Sequence, residues 1–357
     1  MSAAAVLRNW TQVDTVTVRP LGWLRTPAFD ATFIGGLAAL ALVAGLVTSI
    51  QPALFPVIFV ANLWILGLHH VVATFTRVAF DRPSLSQYRA LLVGLPPVVL
   101  LAVVTLGFGV GQWILVSTYL YWQAFHYARQ SYGIAQMYAR MPENAPAVNQ
   151  DLSRWVLYAV PLWGMLYRSH QDPAFFLGLP VWCIPVPALA VRVTGILCFA
   201  LVGVWIGSQL RLARQRQLPV PHTLYMYTHI LIFTVGYVLI DDIDRGWLVV
   251  NIWHNAQYLF FVWHFNNKRF GERIDPQRRF ISRLSQRKNV LWYVFTCLMI
   301  STAVYGLVYQ VSQLVAFRTI SLAFIVGQAL NYHHYIVDGI IWKRRTQAVP
   351  APVSVRS

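Results

Sequence analysis

Acidic residues are scarce in this chain. Among 357 residues there are 12 Asp and Glu against 28 Lys and Arg, a formal net charge of +16. Charged residues make up only 11% of the sequence, far below the roughly 25% of a soluble globular domain. That shortage excludes a water-faced soluble enzyme. Useful cysteine is missing as well: Cys183, Cys198 and Cys297 show no CxxC spacing. This excludes a thiolate metal site or an iron–sulfur cluster and leaves them as small buried residues. There is no internal repeat and no polar stretch long enough for a separate domain. The basic excess could suggest nucleic acid, but lysine and arginine stand beside the ends of apolar runs. There they act as topology signals and contact anionic lipid headgroups, so nucleic-acid binding is set aside.

What is abundant is apolar surface: 57% of residues are hydrophobic and the mean hydropathy is +0.53. Several runs exceed the roughly 18 apolar residues that span a bilayer. The expected fold class is all-α, a polytopic transmembrane bundle of about ten spans. The spans fall near 32–50, 54–78, 90–110, 112–130, 154–168, 186–208, 221–240, 246–267, 289–311 and 317–342. The fourth can run on towards Arg140, and the fifth is short. Residues 1–28 read as a cytoplasmic arm, 29–343 as the bundle and 344–357 as a disordered basic tail. Residues 268–288 read as a basic amphipathic helix on the inner leaflet. Basic residues gather in alternate loops, with Arg168, Arg245 and Arg318 as exceptions, which puts both termini in the cytoplasm. The expected location is a multi-pass position in a bacterial inner membrane.

Ten histidines are present, and their positions matter more than their number. His69, His70, His126, His229, His254, His264, His333 and His334 lie within or at the edges of spans. A neutral imidazole still needs partners for a donor and an acceptor, so eight of them in lipid are hard to explain as packing. In Asn331-Tyr332-His333-His334-Tyr335-Ile336-Val337-Asp338, His334 and Asp338 are four apart and share a helix face. Tyr119, Gln123, His126 and Gln130 form a second polar stripe, and His254, Gln257 and Tyr258 a third. Counting from the basic anchors puts both dyads at a similar depth, roughly 10–14 Å below the cytoplasmic face. His254 falls apart from them in the outer half.

Imidazole with carboxylate is a ligand set for iron, zinc, copper or nickel. Six to eight histidines exceed one zinc site and suit two ions, or one ion with the groups that orient its ligands. The expected metal residues are His69, His70, His126, His229, His254, His264, His333, His334 and Asp338. Asp338, Tyr258 and Arg129 are the candidates for catalysis; Arg129 is placed to pair with Asp338 or with a substrate carboxylate or phosphate. Two other readings stay open. A proton-coupled transporter also uses intramembrane His and Asp, and a haem protein uses axial histidines.

On the pairs His69-His70 and His333-His334, with further histidines on helices, the chain resembles the histidine-rich integral-membrane oxygenases, the desaturases and hydroxylases of lipids. It is similarly close to the membrane proteins that cleave carotenes. The motifs carry the resemblance, not the whole chain. The family's extra histidine two to four residues before each pair is missing, because Leu66, Gly67 and the stretch from Val326 to Asn331 supply none. The resemblance implies a pair of iron ions, O₂ as co-substrate and a membrane lipid or other hydrophobic substrate. It also implies an electron-donor protein at the cytoplasmic face. The reaction would be hydroxylation, desaturation or cleavage.

Overall fold

The computed structural model describes residues 21–341, apart from 79, 81, 272 and 315–319. The arm up to residue 20, Arg318, the anchors Trp342 and Lys343 and the tail 344–357 lie outside the described residues. Each of the ten expected segments is a helix: α1 (Pro27–Ile50), α2 (52–78), α3 (Ala90–Gly109), α4 (Gln112–Ala139) and α5 (Gln150–Gln171). They continue as α6 (Ala188–Arg214), α7 (220–239), α8 (Ile243–Phe270), α9 (Val290–Leu314) and α10 (Leu322–Ile341). The fourth does run on to Ala139. A two-stranded antiparallel hairpin pairs Phe175 with Pro180 and Phe176 with Leu179 between α5 and α6.

Five helical stretches are long and apolar enough to cross a membrane: Pro27–Ile50, Pro52–Phe75, Ala90–Gly109, Ala188–Arg214 and Arg287–Gln313. Their exposed faces carry large apolar side chains, among them Leu46, Leu101, Leu197 and Leu291. That is how a helix faces lipid, so this is a helical membrane protein. α4 and α8 carry many of the buried polar side chains, among them Gln123, His126, Asn251 and His254.

Local chemistry sets the ends. Thr26 caps α1, accepting from Phe29 N at 3.2 Å with Pro27 in the first turn. Asn149 caps α5 and Asp242 caps α8 in the same way. Gly111, at φ 124°, turns the chain between α3 and α4 with a backbone that L side chains rarely adopt. Among the described residues π-turns lie within α1 (Thr32–Gly36) and α2 (Leu63–Gly67), at the start of α3 (Ala90–Gly94) and at the end of α7 (Val235–Leu239), and each contains a glycine. Each adds a residue to one turn and so rotates the face that follows.

α8 is the central element. It packs against α1, α2, α4 and α7, and every residue from Gly246 to Tyr258 is buried. Three of its polar side chains are met by others. Asn62 Nδ2 and Asn255 Nδ2 each donate to Asn251 Oδ1 at 2.8 Å, and Trp247 Nε1 donates to Gln123 Oε1 at 2.6 Å.

Residues 21–30 are tied to the far end of α4. The fully buried Asp30 carboxylate accepts from Leu24 N and Arg25 N at 3.0 Å and from Tyr138 OH at 2.6 Å. Tyr138→Phe removes one hydrogen bond to a buried carboxylate and is expected to cost about 2 kcal/mol. Thermal unfolding in detergent reads this as a lower midpoint.

The expected single amphipathic helix over 268–288 is not formed. α8 ends at Phe270, before Gly271. After Pro276 the chain makes only a one-and-a-half-turn helix, Arg279–Leu284, between two 3₁₀ turns. Proline cannot donate to the turn before it, which breaks the run. Ile281 packs inward with Tyr293 and Cys297, while Ile274 and Phe280 stay exposed.

Candidate metal centre

Four helices each bring one histidine to a common point. These are His70 of α2, His126 of α4, His254 of α8 and His334 of α10, all buried. The ring centroids stand 4.7 Å apart for His70 and His334, 5.1 Å for His126 and His334, 5.0 Å for His126 and His254, and 5.5 Å for His70 and His254. Asp338, one turn after His334, completes the group. Its Oδ2 is 3.7 Å from His334 Nε2. His126, His334 and Asp338 offer ligand atoms within 4.8 Å of one another. Atoms bound to one ion at about 2.0–2.2 Å stand at most about 4.4 Å apart. The triad is close enough to hold one ion.

A hydrogen bond fixes which nitrogen of His70 can bind. His70 Nδ1 lies 2.6 Å from Gly67 O, and a carbonyl only accepts, so that nitrogen carries the proton and Nε2 keeps its lone pair. Gly67 ends the π-turn Leu63–Gly67, so the widened turn sets the pose of the imidazole just after it. His70 Nε2 then faces His334 Nε2 at 3.1 Å.

His334 Nδ1 is 3.0 Å from Thr74 Oγ1, Thr74 Oγ1 is 2.8 Å from Tyr258 OH, and Tyr258 OH donates to Asp338 Oδ1 at 2.8 Å. Taken in that order, every hydroxyl both donates and accepts. The string starts at a His334 Nδ1 proton and ends on the carboxylate. It leaves His334 Nε2 bare as well, so two lone pairs point at each other across 3.1 Å. Only a proton or a cation between them relieves that opposition. Around them, His126 Nε2 and both ring nitrogens of His254 are buried with no hydrogen-bond partner among the described residues.

The other four expected metal histidines lie elsewhere. His69 Nδ1 turns back to Ile65 O at 3.2 Å. His333 stacks on Phe75 and its Nε2 donates to Leu91 O at 2.7 Å. His229 packs between Phe233 and Trp253, and His264 against Phe29. One histidine of each pair faces the centre because neighbours on a helix point about 100° apart. His254, expected to stand apart in the outer half, is at the heart of the cluster instead.

The sequence reading missed Thr74, although it lies one turn after His70 on the same face. It also missed Tyr335 and Tyr127, whose rings stand 4.5 Å from His126 and 4.1 Å from His254. Arg129 does not pair with Asp338; its Nη2 donates to Gly339 O at 3.2 Å.

A buried nitrogen-and-oxygen donor set on four helices of a membrane protein is the class that fold and site define. No protein-family model, curated protein or solved structure matches the chain.

Proposed function

We propose that this cluster is a metal centre and that the protein is a membrane oxidoreductase acting on a hydrophobic substrate. The observation that carries the reading is the 3.1 Å approach of His70 Nε2 and His334 Nε2, with the His70 tautomer held by Gly67 O. Ligands on one ion at about 2.1 Å and near right angles stand about 3.0 Å apart. The donors are imidazoles and one carboxylate, which suits iron or zinc. The three cysteines are free and buried, and none is among the described residues that could hold an ion.

Five converging groups, His70, His126, His254, His334 and Asp338, favour one ion over the pair that nine ligands would hold. An iron ion with open positions would supply redox chemistry with O₂. The chain's own part is to orient the ligands and keep water out, with Thr74 and Tyr258 setting the proton on His334 and Asp338. Ten membrane crossings with both ends on the cytoplasmic side, the inner membrane of a bacterium as location and an electron-donor protein at that face belong to the same reading.

A haem between two of these histidines fits less well, because a porphyrin would have to stand between rings whose centroids are only 4.7–5.5 Å apart. The hydrogen-bonded string from His334 through Thr74 and Tyr258 to Asp338 also favours a second reading, a proton carrier.

Metal analysis of protein purified without a histidine tag separates the two. About one iron per chain is expected. Metal-free protein that moves protons when reconstituted in vesicles would replace the metalloenzyme with the carrier.

A further inference from the structure

One member of the cluster, His126, lines a cleft in the side of the bundle. On α4, Trp122, Phe125, His126 and Arg129 fall at i, i+3, i+4 and i+7, a single face. On α10, Tyr335, Ile336 and Gly339 stand opposite, and the two faces enclose a cleft of about 210 Å³. Its mouth is apolar, with Phe125 half exposed at 52% and Trp122 and Ile336 partly so. Its floor is His126, whose buried Nε2 has no hydrogen-bond partner among the described residues and whose ring lies 5.1 Å from His334.

Arg129 is the unusual member. It is half-buried, and its hydrogen bond goes to a neutral carbonyl, Gly339 O at 3.2 Å. No carboxylate among the described residues stands within ion-pair reach of it. A partly desolvated guanidinium without a counter-charge favours an anion, and its fork matches the two oxygens of a carboxylate or phosphate. The apolar mouth excludes a freely hydrated anion as the preferred guest. The volume is below the roughly 300–1,000 Å³ that encloses a whole drug-sized ligand. The cleft is therefore suited to the head end of a longer molecule whose remainder stays in lipid.

We infer that the cleft between α4 and α10 binds an acidic amphiphile, its carboxylate or phosphate on Arg129 and its first carbons beside His126. This names the substrate class of the proposed metal centre and rests on that reading for what the bound molecule would undergo. The binding itself is measured without turnover.

The experiment titrates the purified full chain, in neutral detergent, with spin-labelled stearic acid, its methyl ester and a lysophosphatidic acid. Inorganic phosphate serves as competitor, and metal content is measured on every sample. The acid or the lysophosphatidic acid is expected to bind at least about tenfold tighter than the ester, and their order identifies the headgroup. Arg129→Gln should erase the preference and Arg129→Lys should keep part of it. Gly339→Leu should block binding with unchanged metal, because a Cβ at Gly339 meets nothing within 4 Å and the side chain has only the cleft to occupy.

Equal binding of acid and ester, a preference that survives Arg129→Gln, or inorganic phosphate competing as well as the lipids would overturn the inference. Acid binding that depends on Arg129 in metal-free protein sustains the cleft and sinks the metal reading. A metal-loaded protein indifferent to the headgroup does the reverse.

Discussion

Replacing His334 by alanine is expected to remove at least nine-tenths of the bound metal, a loss of about tenfold or more, while His333→Ala retains it. The two residues are neighbours, equally apolar in setting and nearly equally buried, at 0% and 3% exposure. A general effect of cutting an imidazole out of α10 would strike both. Only a ligand role separates them, because His334 Nε2 faces His70 and Asp338 while His333 Nε2 is bonded to Leu91 O. The same contrast should repeat on α2, with His70→Ala losing the ion and His69→Ala keeping it. Thr74→Val and Tyr258→Phe remove hydroxyls that bond His334 Nδ1 and Asp338 Oδ1, and Thr74 Oγ1 also donates to His70 O at 3.4 Å. They should weaken metal affinity by about tenfold and leave folding intact. Equal metal loss in His333→Ala and His334→Ala would rule out the cluster as drawn.

Much of this centre could be read in the amino-acid order, and the part that could not has a physical reason. The pairing of His334 with Asp338 follows from four-residue spacing. The stripe of Tyr119, Gln123, His126 and Gln130 does turn inward: Gln123 meets Trp247, and Gln130 donates to His254 O at 3.0 Å. The choice within each histidine pair was not legible, because it depends on which side the partner helices occupy. His254 was misplaced for a related reason. Its depth was counted from basic anchors, whereas its position among the other histidines is set by the rotation of α8 against α2 and α4. The π-turns add to the difficulty. Leu63–Gly67 ends one residue short of His69 and His70 and rotates them by the equivalent of one inserted residue. Glycine content hints at such turns but does not place them.

Gly246→Ala should be the most damaging single methyl in the molecule. A Cβ there would stand 2.0 Å from Gly236 O and 2.6 Å from Arg168 Nη2. Neither neighbour can yield easily. Gly236 lies in the π-turn that ends α7, and its own Cβ position is 2.7 Å from Gly246 O, so the two helices touch backbone to backbone. Arg168 is buried and already committed: its Nη2 donates to Gly236 O at 2.9 Å and to Ile240 O, and its Nη1 to Asp241 O at 2.6 Å and Gln171 Oε1 at 2.7 Å. It thereby satisfies carbonyls that the end of α7 leaves without partners. Room for the methyl comes only from parting α7 and α8 or breaking those bonds, which should cost about 3 kcal/mol or more. Gly207→Ala on α6, where a Cβ meets nothing, should be neutral or stabilising by up to about 1 kcal/mol, and it serves as the control. Size-exclusion profiles and melting in detergent check both. A Gly246→Ala protein that melts with the wild type would refute the close packing of α7 on α8. Any fraction that still folds should be poor in metal, because α8 carries His254 and Tyr258 from that contact into the centre, and a shifted helix moves both away from His126 and Asp338.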